Sequence, residues 1–196
     1  MRRRRLLQAG LALTGGSWAA ARAALPTAQP AVPQPAPLRR GSRIAALAPG
    51  TWLDPADPLL DQLSQRCAAE GWQLLRPPSL SQRLRWFAGS DRQRLGALQQ
   101  AWLDPRVDAL FYVGAGWGSA RVLEAGWRFP ASPRWCVGFS DCSALLLAQW
   151  AAGSAGGVHG WFGSDAAAWQ RLVALLQHRP VAPLQGATVE GGVVRG

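Results

Sequence analysis

The stretch Trp135-Cys136-Val137-Gly138-Phe139-Ser140-Asp141-Cys142-Ser143-Ala144-Leu145-Leu146-Leu147-Ala148-Gln149-Trp150 changes character in its middle. Residues 134–139 read as a short buried strand, because Trp135, Cys136 and Val137 form a continuous apolar run. Residues 143–152 are dominated by helix formers. Between them, Gly138 allows a sharp bend, and Ser140 projects its hydroxyl at the carboxyl end of the strand. Open α/β sheets place their ligands at that edge. A serine at such a turn serves either as a reactive hydroxyl or simply as the N-cap of the helix. The residues alone leave both readings open.

The same change of period recurs upstream. Residues 43–48 form an apolar strand ended by Pro49-Gly50-Thr51, a turn signal. Residues 57–69 follow with Leu59, Leu60, Leu63 and Cys67 at helical spacing, and Gly71 stops them. A short strand at 72–75 closes at Pro77-Pro78, and a helix at 90–103 starts on Ser90 as N-cap. Then come a strand at 107–113, a helix at 119–126, the strand and helix already described, and a helix at 166–177. A fifth strand is expected just before His159. Strand and helix in alternation predict a doubly wound, mostly parallel α/β sheet with flanking helices.

The two ends read differently. Arg2 to Arg5, an apolar stretch over 6–21 and Ala21-Arg22-Ala23 read as a secretory signal over 1–23. The arginine run also resembles a twin-arginine export signal. The apolar stretch is too short and too glycine-bearing to prefer a membrane span, so no stable span is expected after cleavage. Export to the periplasm or an equivalent extracytoplasmic space follows. Residues 24–42, with five prolines between 26 and 40, read as a linker.

The formal charge of +10 suggests nucleic acid until it is partitioned. Seven of the 21 basic residues lie in residues 1–40, which hold no acid, leaving 14 basic against 11 acidic, or +3. A folded part at +3 with no aromatic-interleaved basic run does not call for a nucleic-acid partner. Three cysteines, Cys67, Cys136 and Cys142, make neither a disulfide framework nor a metal-ligand spacing. With two histidines in the chain, no metal site is expected. Most of the tryptophans read as core filler. Trp117 and Trp161 stand apart, because each lies in a glycine-rich loop able to line a cleft.

Gly114-Ala115-Gly116-Trp117-Gly118-Ser119 follows a strand and opens a helix, but Ser119 stands where a dinucleotide fingerprint needs Gly or Ala. No cofactor is expected. Glycines still let backbone N–H groups approach a ligand, so this loop is a candidate donor to an oxyanion near Ser140. Gly138 to Cys142 resembles a nucleophile elbow, with Cys142 where that motif has glycine. A serine hydrolase uses a histidine base, and the chain offers His159 and His178. His178 reads as a helix C-terminal cap. His159 reads either as a backbone-bonded loop residue or as part of the Ser140 edge.

Several segments in one order resemble a single family. They are residues 44–49, Phe87-Ala88-Gly89-Ser90-Asp91-Arg92-Gln93-Arg94-Leu95, Asp104-Pro105-Arg106-Val107-Asp108-Ala109, Gly116-Trp117-Gly118 with Arg121 and Leu123, Gly138-Phe139-Ser140-Asp141, and His159-Gly160. Together they resemble the LD-carboxypeptidases, serine peptidases of murein recycling related to microcin-immunity peptidases. The resemblance implies Ser140 as nucleophile, an oxyanion hole from the backbone of Asp141 and the Gly116 region, and a cleft bordered by Trp117, His159 and Trp161. It implies hydrolysis of the bond between an L-centred residue, such as diaminopimelate, and the terminal D-alanine of a murein tetrapeptide. Many relatives are dimeric, so a homodimer is open to this chain. The loop departs from the family at Gly114, Ala115 and Trp117, and Trp161-Phe162 replace Pro-Met. By the same resemblance, residues 43–182 are the N-terminal domain and 183–196 begin a second domain that carries the Glu and His of the triad. A chain without those partners is expected to be an incomplete peptidase, a non-catalytic murein-peptide-binding module or an inactive truncated product.

Overall fold

The computed structural model describes residues 33–114, 116–162 and 165–182, together with the backbone of 188–190 and 193–195. The signal read at 1–23 and the start of the linker lie outside these residues. Five strands, β1 (Arg43–Leu47), β2 (Gln73–Leu75), β3 (Ala109–Tyr112), β4 (Trp135–Gly138) and β5 (Gly157–His159), form one sheet in the order β2-β1-β3-β4-β5. Every neighbouring pair in it is parallel. The helices are α1 (Leu59–Ala69), α2 (Asp91–Leu103), α3 (Ala120–Glu124), α4 (Ser143–Ala151) and α5 (Ala166–Leu176). A hairpin, β6 (Thr188–Glu190) with β7 (Val193–Arg195), lies in the region expected to open a second domain.

The period of two along each strand builds the two faces. Ile44, Ala46, Phe111, Trp135 and Val137 pack with Leu60, Leu63 and Cys67 of α1 and Trp169, Leu172, Val173 and Leu176 of α5. Ala45, Leu47, Leu110, Tyr112 and Cys136 pack on the other face with Leu98 and Trp102 of α2, Val122 of α3 and Leu145 and Leu146 of α4. All four residues of β3 and of β4 are buried, as parallel strands covered on both faces require. The doubly wound α/β reading of the sequence is what the structure has.

Local signals place the helix starts. Ser90 Oγ accepts from Gln93 N–H at 3.3 Å while Gln93 Oε1 accepts from Ser90 N–H at 2.8 Å, a reciprocal cap that fixes the start of α2. The described part of the linker, from residue 33, packs. Pro35 and Leu38 are buried, Leu38 N–H donates to Leu176 O at 2.8 Å, and Trp135 Nε1 donates to Ala36 O at 2.8 Å. Trp72, Trp102, Trp127, Trp135 and Trp169 are core, whereas Trp86 and Trp150 are exposed along with Trp117 and Trp161. Strand order reverses between β1 and β3, so the loops leaving those strands border the crevice where such sheets bind ligands.

Candidate active site

The backbone bends at Ser140 itself. Its φ is 54°, in the left-handed region that non-glycine residues avoid, and the residue is exposed. Gly138 serves packing instead of the bend: a Cβ there would stand 2.9 Å from Cys142 Cβ and 3.0 Å from Tyr112 Cδ2. Residues Ser140–Cys142 form a single 3₁₀ turn that runs into α4. No side chain caps either element, so the Ser140 hydroxyl is not used as an N-cap. A strained, exposed serine between a buried strand and a helix is the geometry of a nucleophile elbow. The first N–H groups of such a turn, Asp141 among them, point out of the helix end without helical acceptors.

The glycine loop reaches this turn through Asp141. Ser119 N–H donates to Asp141 Oδ2 at 2.7 Å. The loop is also tied to the end of β1: Trp117 N–H donates to Thr51 Oγ1 at 3.3 Å, and Thr51 Oγ1 donates to Trp117 O at 3.4 Å. Gly116, at φ 114°, lies so close to Thr51 that a Cβ would fall 2.1 Å from Oγ1. Trp117 N–H is engaged by Thr51, so it is not the loop's donor to an oxyanion.

An ion cluster backs the loop. Arg121 grips Asp91 with two bonds, Nε to Oδ1 at 3.0 Å and Nη2 to Oδ2 at 2.6 Å, and Arg94 bonds the same carboxylate. The buried Arg94 also donates to Gly89 O at 2.7 Å. Both guanidiniums lie over the Phe87 ring, at 4.7 Å for Arg94 and 5.5 Å for Arg121. Phe87 in turn meets Trp117 edge to face at 4.9 Å. The hydrogen bond from Arg121, with the charge of Arg94 beside it, holds the Asp91 carboxyl below its ordinary value, while burial pushes the Arg94 guanidinium down.

Across the turn, Phe139 stacks obliquely on His159 at 5.1 Å and on Trp161 at 5.7 Å. His159 ends β5 in register with Gly138, so it shares the carboxyl edge with Ser140. His178 instead lies 5.7 Å from Trp135, the first residue of β4, at the opposite edge. Trp117 and Trp161 are both largely exposed and border the edge from opposite sides. Among the described residues, no imidazole or carboxylate is hydrogen-bonded to Ser140. Burial pushes the Cys142 thiol up to about 11, which removes it as a competing nucleophile near neutrality. Ser140, Asp141, Gly116, Trp117, His159 and Trp161 thus share one edge. The roles of Thr51, Asp91, Arg94 and Arg121 were not read from the sequence. The clue was there in the charged residues of the 87–95 segment and in Arg121, but their pairing spans the fold.

Comparison with known proteins gives the family and the fold. The LD-carboxypeptidase N-terminal domain matches residues 44–160. A Synechocystis sp. protein named as a carboxypeptidase is 35% identical over 171 residues, covering 83% of this chain and 56% of its own. The murein tetrapeptide carboxypeptidase of Pseudomonas aeruginosa is 31% identical over 109 residues, covering 54% of this chain and 35% of its own. Among solved structures, the microcin self-immunity protein MccF in its apo state superposes with a TM-score of 0.66 at 16% identity, covering 81% of this chain and 52% of its own, a likeness of fold. The chain covers 56% of the length of the Synechocystis protein, 35% of the Pseudomonas protein and 52% of MccF. Since the domain match takes in more than half of the sequence, the chain belongs to the LD-carboxypeptidase family through that family's N-terminal domain.

Proposed function

We propose that this domain carries the nucleophile of a serine-type LD-carboxypeptidase, with Ser140 attacking the carbonyl that joins an L-centred residue to the terminal D-alanine of a murein tetrapeptide. The observation that carries the reading is the exposed Ser140 at φ 54°, its hydroxyl spent on no helix cap. Attack forms a tetrahedral oxyanion, for which Asp141 N–H and an N–H of the Gly116 region are the donors. Collapse releases D-alanine and leaves an acyl-serine ester for water to cleave. The reaction also needs a base, worth about 10² to 10⁴ in rate. His159 is the imidazole on this edge, and a second domain of the kind the family carries is the other source. The protein acts after export, in the periplasm or its equivalent.

The absence of a hydrogen-bonded base at Ser140 among the described residues favours one second reading, a module that binds the murein peptide without cleaving it. Mass spectrometry of tetrapeptide incubated with the full chain separates the two. Release of D-alanine that is abolished in Ser140→Ala supports hydrolysis. Release that survives in Ser140→Ala removes Ser140 from the role, and binding without release favours the module.

A further inference from the structure

Beside the candidate site stands a cationic hairpin that the reading above does not use. Leu84 and Phe87 exchange backbone hydrogen bonds at 2.9 and 3.0 Å, so Arg85 and Trp86 form a two-residue tip. Arg85 sits at φ 55°, where such tips ordinarily place glycine or asparagine. Arg83, Leu84, Arg85 and Trp86 are all exposed. The hairpin is strapped to the end of β1, with Trp52 N–H donating to Trp86 O at 3.1 Å and Ala88 N–H to Gly50 O at 3.0 Å. Thr51, within that strap, holds Trp117. The hairpin therefore shares its anchor with the glycine loop.

The arginines are arranged for an anion. The Arg83 guanidinium lies 3.9 Å over the Trp52 ring, and its Nε donates to Arg85 O at 3.2 Å. Stacking and this bond fix the plane, and among the described residues the two terminal nitrogens have no protein acceptor. A planar, preoriented fork of that kind matches a carboxylate. Among the described residues, no carboxylate pairs with Arg83 or Arg85; what sets this pair apart from other unpaired arginines is the Arg83 stack on Trp52 and the anchor shared with the glycine loop. Two cations without a carboxylate partner on one exposed hairpin, one of them held at a strained φ, favour a ligand of opposite charge.

We infer that Arg83 and Arg85, with Trp52 as platform, form a carboxylate-binding lip of the Ser140 cleft that reads an acidic peptide. The inference rests on the peptide reading above. A murein tetrapeptide with lysine as its L-centred third residue, the tetrapeptide titrated below, offers two carboxylates of this chemistry, that of the terminal D-alanine and the free α-carboxylate of its D-glutamate.

Calorimetric titration of the full-length chain with three peptides tests it: the tetrapeptide, its terminal carboxamide, and the form amidated at D-glutamate. Wild type is expected to bind one amidated peptide about tenfold more weakly than the parent, as for loss of a charged hydrogen-bonded pair, and which one it is identifies the carboxylate. Arg83→Gln/Arg85→Gln is expected to bind the parent about tenfold more weakly and to lose the discrimination, with an unchanged thermal midpoint. Arg179→Gln, past the end of α5, is expected to keep both. The inference is overturned if the double variant still discriminates, if wild type binds all three alike, or if wild type binds anionic phosphatidylglycerol vesicles and no peptide. Carboxylate-selective binding without D-alanine release keeps the lip and rejects hydrolysis. Release with unchanged KM in the double variant does the reverse.

Discussion

At the scale of single residues, the strain at Ser140 is the feature on which the proposed nucleophile rests. Holding a non-glycine residue at φ 54° costs of the order of 1 kcal/mol or more. Ser140→Gly removes that strain, offset by the greater freedom of glycine in the unfolded chain. Urea denaturation should therefore show it equal to wild type or more stable by up to about 1 kcal/mol, while D-alanine release is lost. A large loss of stability would mean that the hydroxyl is structural after all. Gly116→Ala should act in the opposite sense. At φ 114°, with Thr51 Oγ1 only 2.1 Å from the new Cβ, the loop must shift, and we expect a loss of about 2 kcal/mol together with peptide binding. The serine and its glycine loop were legible in the sequence because strand, turn and helix are local patterns. That Ser140 bends the chain, with Gly138 making room for Tyr112 and Cys142, was not, since the contacts come from a neighbouring strand and from the turn beyond.

At the scale of elements, α2 and α3 are joined through Asp91, and the joint supports the glycine loop. Asp91→Asn leaves the buried Arg94 without its counter-ion, and we expect a loss of about 3 kcal/mol in chemical denaturation. The pH dependence has a definite sign. Asp91 titrates below its ordinary 3.8 in the fold, so its contribution is complete above that value and drains away as pH falls through the depressed one. Stability of wild type measured downward from pH 5 should fall more steeply than that of Asp91→Asn; parallel profiles would contradict the linkage. Element positions came through from the sequence within a residue or two, as with α2, read at 90–103 and found at Asp91–Leu103 behind its Ser90 cap. The Asp91 to Arg121 pair did not, because 30 residues separate its members and no local pattern encodes them.

At the scale of the molecule, the sheet brings loops from β1, β3, β4 and β5 to one edge, and the chain before β1 closes the opposite one. Composition made residues 24–42 a linker, yet Leu38 is only 3% exposed and its backbone bonds α5. Leu38→Ala should lower stability by about 2 to 3 kcal/mol, against near zero for a true tether, as thermal and urea unfolding will show. Proline-rich composition carries no signal of docking, because the docking surface is built by Trp135 and α5, far along the sequence. The most direct measurement on the edge itself is covalent capture. The full chain would be incubated with an electrophilic phosphonate analogue of the terminal D-alanine bond, then digested and mapped by mass spectrometry. The expected result is one adduct, on the peptide carrying Ser140 and absent from Ser140→Ala. An adduct on another residue, or none on folded protein, would contradict a nucleophile at this turn.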